Sequence, residues 1–102
     1  MRALVLAAAL VMAGATPGLT ASNASSFTVR DTAKTPQAPV IIDGTSWRCG
    51  ADSVCVGAGG ASQPAPRACR RVVAKVGAVA SFTYKGVTLS AEELATCNTA
   101  AA

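Results

Sequence analysis

Four cysteines, Cys49, Cys55, Cys69 and Cys97, are the residues of this 102-residue chain best placed to do chemistry. Their types and gaps bear on three chemistries. Structural zinc sites use close cysteine pairs or cysteines mixed with histidine. Here the gaps are C-x5-C-x13-C-x27-C and the chain has no histidine. Thiol–disulfide exchange favours C-x-x-C in a thioredoxin-like setting, which this sequence lacks. An even cysteine count in a short exported chain reads instead as a disulfide framework. No metal and no cofactor is expected.

The remaining reactive groups fall short of a catalytic set. Activating a serine or cysteine nucleophile takes a neighbouring base, most often histidine. Asp43, Asp52, Glu92 and Glu93 are the candidate acids. Asp52 sits among turn formers, and Glu92 and Glu93 suit the first turn of a helix, where negative charge favours the dipole. "GAGG" at Gly57 to Gly60 lacks the Gly-Lys-Ser/Thr ending of a phosphate loop and reads as a flexible loop. Arg67, Arg70, Arg71 and Lys75 form a basic cluster, a candidate anion-binding face that could equally be a solvated helix surface. Little aromatic interleaving accompanies it, so nucleic acid is a poor fit. The chain is read as having no catalytic site.

The N-terminus sets the compartment. Arg2 precedes an unbroken apolar run from Ala3 to Ala13, and Pro17 and Gly18 then break any helix. This is the layout of a secretory signal peptide. The run is shorter than the roughly 20 apolar residues a membrane span needs, so no transmembrane segment is expected after cleavage. Cutting after Ala21 suits Pro17; cutting after Ala15 or Ala24 leaves small residues at the right places. Ala21 is favoured, giving a signal over 1–21. Loss of Arg2 leaves eight Lys/Arg against five Asp/Glu, a net of +3. That mild basicity is compatible with an anionic envelope surface.

The elements that must position the cysteines follow. Residues 22–44 are rich in Ser, Thr, Ala and Pro and read as a flexible leader, too poor in apolar surface to offset the entropy of ordering. Within it Phe27 and Val29 alternate with polar residues as a short strand would, and "VIID" could be a strand that Gly44 ends. Residues 45–98 hold every cysteine and read as the folded module, too small a core to stand without covalent staples. "SWRC" and "VCVG" flank the turn formers "GADS" and predict a hairpin. Cys69, Val72, Val73 and Val76 repeat at helical spacing, with Pro66 at the start and Gly77 at the end. Phe82, Tyr84, Val87 and Leu89 share one face if Lys85-Gly86 is a two-residue turn, with Thr83 and Thr88 paired on the other. Ser90 and Glu93 form a capping box for a last short helix carrying Leu94 and Cys97. Residues 99–102 read as a frayed tail.

The expected fold is therefore a small α+β module in the order β-β-α-β-β-α. The hairpin sets Cys49 opposite Cys55. The pairing without a crossing is then Cys49–Cys55 with Cys69–Cys97.

The pattern W-x-C, a second cysteine six on, Pro66 before Cys69 opening a basic helix, Phe82 with Gly86, and Leu94 before Cys97-Asn98 resembles small exported four-cysteine proteins of alphaproteobacteria. The resemblance covers about the last 55 residues and the signal, and implies the module and an exported setting. It implies no activity. The chain is thus expected to be a periplasmic or secreted binding or envelope-accessory protein, its partner an envelope protein or an anionic envelope surface. The alternative is an inhibitor of a periplasmic or extracellular enzyme, contacting it through Asp52 or the 57–63 loop.

Overall fold

The computed structural model describes residues 24–101. The expected signal and its cleavage sites before Ala24 lie outside these residues. Strands β1 (Ser25–Val29), β2 (Val40–Ile42), β3 (Thr45–Cys49) and β4 (Val54–Gly59) precede helix α1 (Ala65–Val76); β5 (Val79–Tyr84), β6 (Val87–Thr88) and helix α2 (Ala91–Asn98) follow. A single 3₁₀ turn at Thr32–Lys34 links β1 to β2. The strands form one antiparallel sheet in the order β2-β3-β4-β1-β5-β6. The architecture is α+β, as expected, and the disulfides are Cys49–Cys55 and Cys69–Cys97.

The expected module is too short at its N-terminal end. The stretch read as a flexible leader supplies β1, which pairs with β4 on one side and β5 on the other. Since β4 and β5 both run antiparallel to β1, they point the same way. Helix α1 is the crossover such a parallel pair requires, and β1 fills the gap between its two strands. The inward side chains Ser25, Phe27 and Val29 are buried and alternate with half-buried Ser26 and Thr28. Phe27 lies edge-on to Trp47, centroids 4.8 Å apart, and stacks with Phe82 at 6.1 Å. Composition averaged over this Ser/Thr/Pro-rich segment hides five residues whose burial is provided by strands more than 20 positions away.

Local signals explain the other elements. Asp43 and Gly44 both have positive φ, 50° and 82°, and make a two-residue turn joining β2 to β3; Asp-Gly is a strong sequence signal for that turn. Lys85 and Gly86 repeat the geometry at 48° and 88°. Tyr84 then opposes Val87, and the Thr83 and Thr88 hydroxyls lie 2.9 Å apart. Phe82, Tyr84 and Leu89 are buried as expected, whereas Val87 is exposed. It sits on a two-residue edge strand, while α2 packs on α1 and β5.

Helix α1 buries Ala65, Ala68, Cys69, Val72, Val73 and Val76, and the Gly77 N–H closes its last turn on the Val73 carbonyl. Ser90 and Glu93 complete both halves of the capping box on α2. The Cys69–Cys97 bond ties α1 to the end of α2. Asn98 then clips that end to β5: its Oδ1 accepts from the Val79 N–H at 3.0 Å and its Nδ2 donates to the Val79 carbonyl at 2.9 Å. The expected frayed tail continues as hydrogen-bonded turns through Ala101, which packs against the core.

Candidate functional site

The solvent face of α1 gathers the basic cluster. The buried stripe leaves Arg67, Arg71 and Lys75 aligned at four-residue spacing on the opposite side, with Arg70 beside them. All four are exposed. Of the four, only Arg71 is engaged in a close ion pair among the described residues. Its Nε and a terminal guanidinium nitrogen donate to the two carboxylate oxygens of Asp43, each at 3.1 Å. This fork matches planar guanidinium to planar carboxylate. The hydrogen bonds from Arg71 hold the Asp43 carboxyl below its ordinary value; desolvation, the next largest effect, opposes them, while Gln63 and the charges of Arg71 and Arg67 add to the lowering. The same pairing raises Arg71. Among the described residues Arg70 and Lys75 make no ion pair.

The Asp43–Arg71 bridge spans from the β2–β3 turn to the helix and separates two grooves. One, of about 520 Å³, lies between β2 and α1 and is lined by Ile41, Ile42, Asp43, Arg70, Arg71, Ala74 and Lys75. The other, of about 410 Å³, is lined by Asp43, Ala61, Ser62, Gln63, Arg67 and Arg71. All four cations of the cluster thus border one groove or both. Arg70 also borders a smaller apolar depression of about 210 Å³ between the helices, with Glu92 and Glu93 on its far side.

The other sequence candidates take structural positions. The Asp52 carboxylate accepts the Val54 N–H at 3.1 Å and shapes the turn before β4. Glu93 caps α2. The "GAGG" stretch is not a flexible loop: Gly57 to Gly59 belong to β4. A Cβ on Gly57 would lie 2.7 Å from the Trp47 ring, so glycine is what lets that ring lie across the strand. Beyond it, the Tyr84 hydroxyl donates to the Ala61 carbonyl at 2.5 Å, and the Ala61 N–H donates to the Asp43 carbonyl at 3.3 Å. The Asp43 contribution to the basic face was not foreseen. Its signal was the Asp-Gly turn, which brings a carboxylate over the helix 28 residues on.

Fold and site together define a small disulfide-stapled α+β protein with two helices on one face of an antiparallel sheet and a basic outer helix face. The chain belongs to a family of unknown function, DUF8200, whose model matches residues 4–99. No curated protein matches it, and no solved structure does.

Proposed function

We propose that this protein is an exported binding protein, without a catalytic site, that engages an anionic partner through the solvent face of α1. The observation carrying this reading is the pair of cations, Arg70 and Lys75, that make no ion pair among the described residues on a groove-lining face where Asp43 bridges to Arg71. Two disulfides fit an oxidising compartment, and among the described residues no helix is long and apolar enough to cross a membrane. The signal layout and the resemblance to small exported alphaproteobacterial proteins support a periplasmic or secreted setting. Cleavage after Ala21 would leave β1 whole. Cleavage after Ala24 would remove the carbonyl that accepts the Gly86 N–H at 2.9 Å.

The test compares retention on polyglutamate resin and on anionic vesicles at low salt. Replacing Arg67, Arg70, Arg71 and Lys75 together with Gln is expected to abolish it. A control replacing Arg30, Arg48 and Lys85, which lie off this face, should bind nearly as well. Equal retention of the two variants would contradict the reading.

One observation favours the inhibitor reading as a second. The segment after β4 is held at Ala61 from two sides while Ala61 and Ser62 stay exposed, which is how a rigid recognition loop is presented. An inhibitor would copurify with a single enzyme and lose it on alteration of Ser62.

A further inference from the structure

The groove between β2 and α1 carries more than charge. β2 is an edge strand, paired with β3 alone. Hydrogen bonding along the β3–β4 ladder alternates. The Gly50 N–H donates to the Val54 carbonyl, so Cys49–Cys55 is a non-bonded pair and so, counting back, is Thr45–Gly59. The main-chain groups of Thr45 therefore turn to Ile42, and those of Ile41 point away from β3. The Ile41 N–H and carbonyl have no partner among the described residues, and the Ile41 side chain is 72 % exposed. Pro39, just before β2, has no N–H to give, which limits pairing on this edge to a short stretch.

Across the groove stands α1. Ala74 faces it as a small side chain, flanked by the unpaired cations Arg70 and Lys75. An unpaired strand edge, a short apolar floor and two flanking cations are the parts of a site that takes an extended peptide by strand addition. We infer that the β2–α1 groove binds a short, extended, acidic polypeptide segment. Its backbone pairs with Ile41, and its carboxylates meet Arg70 and Lys75. This rests on the proposed anionic partner and names its class as polypeptide. A lipid headgroup has no row of main-chain donors and acceptors with which to satisfy the strand edge.

The experiment measures anisotropy of fluorescein-labelled hexapeptides that alternate Asp or Glu with Val, Leu or Ala, alongside binding to anionic vesicles. The variants are Ile41→Pro, Ala74→Trp and Lys75→Glu, each checked for a native circular dichroism spectrum. Ile41→Pro deletes the outward N–H at an edge where proline is tolerated, and Ala74→Trp fills the groove from an exposed helix position. Each is expected to weaken peptide binding at least tenfold while vesicle binding by Ile41→Pro stays unchanged. Should Ile41→Pro or Ala74→Trp not fold, the wild-type protein and a peptide set N-methylated at alternate residues give the same test, with a tenfold loss expected. Peptide binding that ignores Ile41→Pro, Ala74→Trp and N-methylation would overturn strand addition. Vesicle binding without peptide binding would overturn the groove proposal and leave the anionic reading standing. Binding to neither would overturn both.

Discussion

Replacing Phe27 with alanine tests whether β1 is the centre of the fold. Phe27 is 1 % exposed and its ring touches both Trp47 and Phe82, one from each half of the sheet. A buried Phe→Ala change costs about 3–5 kcal/mol through lost transfer energy and the cavity left behind. A domain of this size has a total stability of roughly 4–12 kcal/mol, so the variant should stand near its unfolding threshold. With a urea slope of about 1 kcal/mol/M for a small protein, the midpoint should fall by about 3 M or more. The only tryptophan, Trp47, reports the transition by fluorescence because it packs against the altered site. Val56→Ala on β4 is the control, since Val56 pairs with Ser26 of β1 yet lies exposed on the open face. It should shift stability by no more than about 0.5 kcal/mol. A Phe27→Ala loss as small as the control's would refute a central, packed β1.

Three further outcomes follow from the geometry. In urea melts, Cys69→Ala with Cys97→Ala should destabilise more than Cys49→Ala with Cys55→Ala. The closed loops are worth about 3.6 and 2.4 kcal/mol on the chain-entropy model, and a lower midpoint for the 49/55 pair would show the weighting is wrong. Asn98→Ala should cost about 1–3 kcal/mol, because it strips both partners from the buried main chain of Val79. Hydrogen exchange should quicken first at the Val79 amide. Asp43 titrates lower in the folded chain than in the unfolded chain, so its pairing contributes stability above the unfolded carboxyl value and loses it as pH falls through the folded one. The stability gap between wild type and Asp43→Asn, followed by melts across a pH series, should be constant at neutral pH and close below pH 3.8. A gap that widened on acidification would have the wrong sign.

What was legible in the sequence is what is set locally. The stripe on α1, the Ser90–Glu93 capping box and the Lys85-Gly86 turn each follow from residues within a turn or two of one another, and the structure reproduces all three. With those placed, the disulfide pairing followed from topology. β1 was obscured because its burial comes from β4 and β5, and nothing near Phe27 announces them. The Asp43-Gly44 turn was legible in its Asp-Gly pair, which makes Gly44 half of a hairpin turn and not simply the end of a strand. The basic face was visible as a helical pattern. Its division into two grooves was not, because the dividing bridge joins residues 28 apart. The glycines of "GAGG" carry no local sign that they make room for the Trp47 ring and, at Gly60, for Thr45 and Tyr84.

The most direct measurement of the anionic-partner claim is a nitrogen–proton correlation titration of the isotope-labelled protein with polyglutamate at low salt. The amides of Ile41, Arg70, Ala74 and Lys75 should shift first and furthest, and the shifts should collapse as salt screens the contact. Shifts concentrated on the open sheet face, at Ser26, Thr28 and Val56, or spread evenly over the surface, would contradict it.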